Sequence, residues 1–150
     1  MPQTAFSRQL FVNLPVADLD RTVDFFAALG FAFNPQFTDD NAACMVVSEH
    51  IQVMLLARPF FAGFTKKPVA DARAATEVLL ALPCETRADV DALVAKAVAA
   101  GAATPIGAKD HGFMYQHGFE DLDGHQWEVF WMDEAAMTEA GVSEAATPQA

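Results

Sequence analysis

A carboxylate at the centre of an apolar strand either meets a partner or costs stability. Glu128 occupies such a place in Gln126-Trp127-Glu128-Val129-Phe130-Trp131. Alternation puts Gln126, Glu128 and Phe130 on one face and Trp127, Val129 and Trp131 on the other. Asp123-Gly124, just before this strand, has the composition of a tight two-residue hairpin turn. Such a turn sets Phe119 opposite Glu128 and His117 opposite Phe130, so that Tyr115, His117, Phe119 and Glu128 share one face. A His and a Glu on one wall can act as acid and base or donate two metal ligands. The alternative for His117 is a satisfied structural histidine in an aromatic strand. Glu77, two residues before Leu79, shares the Leu79 face and reaches the same cavity one pleat away, or else stands at the sheet rim in solvent. Two carboxylates facing one cavity without a cation would compete for a proton, the condition for a proton-transfer group. His50, His111 and His125 fall at turns and loops and read as exposed polar residues. No Gly-rich phosphate loop, nucleophile elbow or Ser-His-Asp order is present.

The elements that must position these residues follow from period and punctuation. Arg8 to Leu14 alternates as a strand, with Phe11 and Asn13 on one face and Leu10, Val12 and Leu14 on the other, and Pro15 ends its ladder. Asp18 caps a helix in which Leu19, Val23, Phe26 and Leu29 recur at helical spacing until Gly30. Strands are expected over 31–37, 42–48 and 51–56, with Asp39-Asp40-Asn41 and Glu49-His50 as turns. Residues 58–75 lack a clean period, contain Pro59, Gly63 and Pro68, and cluster Phe60, Phe61 and Phe64. This stretch reads as a connector whose aromatics either pack over a sheet edge or close a pocket as a lid. A strand over 77–82 follows, then a helix opened by Thr86-Arg87-Ala88-Asp89, apolar at Val90, Leu93, Val94, Ala97 and Val98, and ended at Gly101. Strands over 102–106, 113–119 and 126–132 complete the run, and 134–150 reads as a frayed tail. The order is strand-helix-strand-strand-strand, twice. Leu14-Pro15 recurs as Leu82-Pro83, Gly30 as Gly101, and Asn34-Pro35 as Thr104-Pro105 at near-constant offsets, the mark of a duplicated module. The single domain thus divides into module one at about 7–57, the connector, and module two at about 76–133.

Asp121-Leu122-Asp123-Gly124-His125-Gln126-Trp127-Glu128 resembles the closing D-x-D-G-x-x-x-E signature of the vicinal oxygen chelate superfamily, which includes glyoxalase I, bleomycin-resistance proteins and extradiol dioxygenases. Leu14 to Phe26 is similar to the opening V-x-D-L-x-x-S-x-x-F-Y motif of that family. The resemblance implies an α+β fold: two βαβββ modules forming a curved, mostly antiparallel glyoxalase-like sheet, with helices outside and a pocket within the curve. Metalloenzymes of the family draw ligands from the first and last strands of each module, and the final Glu of the signature falls on Glu128. The first-strand positions fall on Phe11 and Leu79, which cannot bind a metal. The fourth strand offers Gln52 or Met54, depending on register. A divalent ion (Zn, Ni, Fe or Mn) would therefore rest on Glu128 with His117, Glu77 and Gln52. The expected pocket carries Phe11, Asn13, Tyr115, Phe119 and Phe130 around these polar groups, the sparse-anchor form of a small-molecule site. The resemblance implies a protein that acts on or binds a small organic molecule. It is either a lactoylglutathione lyase-like or dioxygenase metalloenzyme with an unusual ligand set, or a non-catalytic module that sequesters a drug or metabolite. It also implies a homodimer.

Composition narrows the partners. A net charge of −11 and a basic run no longer than Lys66-Lys67 disfavour nucleic acid, which is bound through clustered Lys and Arg. Hydrophobic content of 53% with thirteen Phe argues for a packed core. No apolar run approaches the roughly 18–20 residues of a membrane span, and no signal-peptide pattern opens the chain. Cys44 and Cys84 lack metal or redox spacing and read as buried thiols, with the cytoplasm as the expected setting.

Overall fold

The computed structural model describes residues 5–135. They fall into two compact units, one within residues 1–75 and the other within 76–150. The first runs β1 (Leu10–Val16), α1 (Leu19–Ala28), β2 (Ala32–Asn34), a 3-10 turn (Pro35–Phe37), β3 (Ala42–Val46), β4 (Ile51–Ala57) and a short α2 (Arg58–Ala62). The second runs β5 (Leu79–Pro83), α3 (Arg87–Ala99), β6 (Lys109–Asp110), β7 (Met114–Glu120) and β8 (Gln126–Met132). Each unit holds a four-stranded sheet, ordered β1-β4-β3-β2 and β5-β8-β7-β6. The first strand of each runs parallel to the last, and the other pairs are antiparallel. The expected α+β pair of βαβββ modules is what the chain forms.

Local chemistry sets the helix bounds. The Asp18 carboxylate accepts the Arg21 N–H at 3.2 Å, and Thr86 Oγ1 accepts the Asp89 N–H at 3.0 Å, each satisfying a donor that the first helical turn leaves open. Gly30 and Gly101 stop α1 and α3 at φ of +104° and +112°, where other residues are strained. In module one α1 lays Phe25, Phe26 and Leu29 toward Leu14, Val16, Met45, Val53 and Leu55, all buried. In module two α3 lays Val90, Val94 and Ala97 toward Phe119, Trp127 and Val129. Full burial of such side chains contributes about 1.5–3 kcal/mol each.

The strands depart from expectation where backbone chemistry overrides pattern. β2 stops at Asn34 because Pro35 turns the chain, with Asn34 Oδ1 accepting the Gln36 N–H at 3.0 Å. The strand expected over 102–106 shrinks to one bridge, Ala103 to Glu120, since Pro105 and the positive φ of Gly107 take the chain off the ladder. Pro15 and Pro83 sit within β1 and β5, both sheet-edge strands, so β1 continues to Val16. The expected tail lies, from residue 136 on, outside the described residues.

Candidate functional site

One side of the module-two sheet is covered by α3 and the other is open. On the open side the register aligns three rows: Lys109, Gln116, Phe130 and Pro83; Gly118, Glu128 and Ala81; Glu120, Gln126 and Leu79. Glu128 is half-buried there, and Leu79 is 51% exposed. Glu128, Gln116, Gln126 and Lys109 border one small recess, walled by Pro105, Ile106 and Gly107 of the loop before β6. Gly118 forms its floor. A Cβ there would meet the Trp127 carbonyl at 2.6 Å, so the position opposite Glu128 stays bare.

The expected grouping of Tyr115, His117 and Phe119 with Glu128 is corrected by one residue of register. Glu128 pairs with Gly118, His117 with Val129, and Phe119 with Trp127. The loop holds three residues, Leu122-Asp123-Gly124, closed by Asp121 N–H to His125 O at 3.0 Å and Gly124 N–H to Asp121 O at 3.1 Å. Only Gly124 has a positive φ, at +88°, which excludes the two-residue turn. Asp121 decides the outcome: its carboxylate is 6% exposed and accepts from the N–H of Asp123 and His125 and from Trp127 Nε1, each at 3.0 Å. Burial raises its pKa, opposed by the charge of His125, by the Trp127 N–H and by the two backbone N–H groups. His125, expected in solvent, is 8% exposed beside it.

The slip moves three expected pocket residues to the helix side. Phe119 is 1% exposed and stacks on Trp127 with ring centroids 6.3 Å apart. The Tyr115 hydroxyl donates to Asp91 of α3 at 2.6 Å, a bond that pushes the phenol pKa up. Arg87 lies over the Tyr115 and Trp131 rings and grips both Asp110 oxygens, at 2.7 and 3.1 Å. The guanidinium and the Gly112 N–H hold the Asp110 carboxyl at about 2. His117 Nδ1 accepts its neighbour's Gly118 N–H at 2.9 Å. Glu77 precedes β5 in solvent, so it does not share a strand face with Leu79. His50 and His111 are exposed, as expected.

In module one the open face carries Phe11 and Asn13, paired with Gln52 and Met54. Phe11 is 45% exposed and Asn13 exposed, whereas Leu14 and Val16 on the helix side are buried. An open recess of about 480 Å³ is bordered by Asn13, Leu56, Phe61, Phe64 and Thr65. Phe61 lies in α2, and Phe60 and Phe64 meet edge to face at 5.2 Å. Arg58 pins the connector by donating to the Val69 and Ala70 carbonyls, both at 3.0 Å. The connector aromatics thus wall a recess on the open face rather than filling it.

The model of the bleomycin resistance protein-like N-terminal family matches residues 8–48. Solved structures match across the chain. A hypothetical protein SA1046 from S. aureus is 26% identical, with a TM-score of 0.73 over 85% of this chain and 95% of its own. A glyoxalase-related enzyme from Fulvimarina pelagi is 20% identical, with a TM-score of 0.72 over 84% and 88%. TnmS3, an antibiotic binding protein from Streptomyces sp. CB03234, is 20% identical, with a TM-score of 0.58 over 87% and 99%. The chain shares the glyoxalase-like fold of these structures. No curated protein matches its sequence significantly.

The metal expected from the superfamily resemblance does not fit the donors present. Among the described residues no group of three or more His, Cys, Asp or Glu could hold an ion. The parallel pairs fix the register that the sequence left open. Phe11 pairs with Gln52 and Asn13 with Met54, as Leu79 pairs with Gln126 and Ala81 with Glu128. Met54 is therefore the counterpart of Glu128, and Gln52 that of Gln126. Of the set Glu128, His117, Glu77 and Gln52, the module-two recess is bordered by Glu128 and His117, whose register positions lie on opposite faces of the sheet; Glu77 is exposed ahead of β5, and Gln52 belongs to module one. Sequence reasoning missed Asp121, Lys109 and Gln116, and put Gln126 on the Glu128 face without giving it a role. The Asp-x-Asp-Gly spacing signals the first, and nothing local signals Lys109 and Gln116, because they meet Glu128 only through the ladder.

Proposed function

We propose that this protein binds a small organic molecule with an apolar body, without metal chemistry. The observation that carries this reading is the recess of about 480 Å³ on module one, within the range of ligand sites, with Phe61, Phe64 and Leu56 as apolar wall and Asn13 and Thr65 as polar anchors. The match to a bleomycin resistance protein-like family and the antibiotic-binding relative of the same fold support sequestration over turnover. The net charge of −11 favours a neutral or cationic ligand.

Phe11 and Phe130 belong to the reading as open-face apolar groups of their modules, and Glu128 as the polar group of module two. A homodimer belongs to it as well, covering exposed apolar residues such as Phe11 and Phe113. The cytoplasm is the proposed setting. It is supported by two free thiols, Cys44 buried and Cys84 half-buried, whose pKa values burial raises, for Cys84 with help from Asp89. Among the described residues no helix is long and apolar enough to cross a membrane.

The test is a fluorescence titration with prodan, a neutral naphthalene dye. Saturable binding is expected, weakened at least tenfold by Phe61→Asp at unchanged melting temperature. Non-saturable partitioning, or equal binding by the variant, would defeat the reading.

A further inference from the structure

Module two separates its charged groups sharply by face. On the helix side Arg87, Asp110, Asp91 and Tyr115 are all committed to one another. Around the open-face recess the side chains of Lys109, Gln116, Gln126 and Glu128 make no hydrogen bond or ion pair with the described residues. One anion, one cation and two amides therefore border one depression, all with their bonding capacity unused among the described residues. Their elements place them firmly. Gln116 faces Lys109 across β6 and β7, Glu128 faces Gly118 across β7 and β8, and Gln126 lies one pleat further along β8.

Ladder geometry sets the span. Lys109 and Glu128 lie two strands and one pleat repeat apart, about 12 Å between Cα positions. Both side chains border the recess floored by the bare Gly118, a span that a short dipolar group can bridge. The recess holds about 30 Å³, room for a small charged head group and not for a ring. A simple cation would meet Glu128 but face Lys109 unpaired, and a simple anion would suffer the reverse. A molecule carrying both charges satisfies both side chains. Ile106, 62% exposed, and Pro105 border the same depression and offer an apolar surface to a substituent.

We propose that this recess binds the zwitterionic head of an amino-acid-type molecule, with its ammonium on Glu128, its carboxylate on Lys109, amide support from Gln116 and Gln126, and an apolar side chain along Ile106. The site stands on module-two residues alone, so loss of dye binding in module one would leave it intact.

The experiment is a titration of the full chain with L-leucine, followed by backbone amide shifts of residues 105–109, 116–118 and 126–128. Isoamylamine and isocaproate serve as half-ligands lacking one charge each. L-leucine is expected to saturate these shifts at about millimolar concentration. Each half-ligand is expected to bind at least tenfold more weakly. Glu128→Gln and Lys109→Met are each expected to weaken L-leucine at least tenfold, with thermal melting confirming that both fold. Non-saturating shifts would overturn the proposal. So would isoamylamine binding as well as L-leucine, or wild-type affinity in either folded variant. The half-ligand comparison needs no variant and decides the matter even if one fails to fold.

Discussion

At the scale of the residue, the D-x-D-G segment owes its form to Asp121. Its carboxylate collects two backbone N–H groups and the indole N–H of Trp127. Trp127 is 1% exposed beneath α3, so the hairpin loop and the module core are joined through one side chain. Removing the acceptor strands two buried donors, the His125 N–H and the Trp127 indole N–H, and the part-buried Asp123 N–H, and each orphan carries a penalty. Asp121→Ala is therefore expected to destabilise the fold by about 3 kcal/mol. Chemical denaturation with unchanged m-value would check this. Glu128→Ala is the informative control, because that carboxylate makes no bond among the described residues and its loss should leave stability nearly untouched. Equal losses in the two variants would mean that Asp121 is not the organiser.

At the scale of the element, helices were legible in the sequence and strand register was not. Asp18, Thr86, Gly30 and Gly101 act on their own neighbours, so their chemistry is read locally. Asp123-Gly124 suits both a two-residue and a three-residue loop, and only the bonds of Asp121 choose between them. Because side chains alternate, that one-residue difference sent Tyr115, His117 and Phe119 to the opposite face. The Glu77 strand began two residues late for a related reason: no local signal marks where a parallel edge strand finds its partner. The Arg87 clamp shows what the helix side gained. It ties the N-terminal turn of α3 to β6 through Asp110 and to the Gly112 carbonyl at 2.9 Å. Asp110 titrates at about 2 in the folded chain against an ordinary 3.8. A depressed carboxyl pKa stabilises the fold above the unfolded value and ceases to do so as pH falls through the folded one. The clamp should thus hold down to about pH 4, weaken from there, and be gone below about pH 2. Carboxyl-detected NMR of Asp110 would follow it. Arg87→Met is expected to return the titration toward the ordinary value and to speed amide exchange over 109–113. An unchanged Asp110 titration in that variant would show that Gly112, not Arg87, sets it.

At the scale of the whole molecule, duplication gives a second reading of the metal question. A repeated module offers each ligand position twice, so a lost donor in one half can be compared with its counterpart. The first-strand positions are Phe11 and Leu79, apolar in both halves, and the last-strand positions are Met54 and Glu128. One carboxylate remains from four equivalent places, and a tightly held divalent ion needs three or more side-chain donors. The consequence is measurable without knowing any substrate. An ion at a hundredfold excess over its dissociation constant stabilises the native state by about 2.7 kcal/mol, roughly 5–10 °C in melting temperature for a chain of this size. Zinc, nickel, iron(II) and manganese are each expected to give no such shift, and EDTA to change neither melting nor prodan binding. A shift of that size with any of these ions, lost in Glu128→Ala, would restore the metalloenzyme reading and require donors outside those described. Unshifted melting with saturable dye binding would leave a glyoxalase-like fold that carries its recesses and its closing carboxylate, with apolar side chains at the first-strand positions.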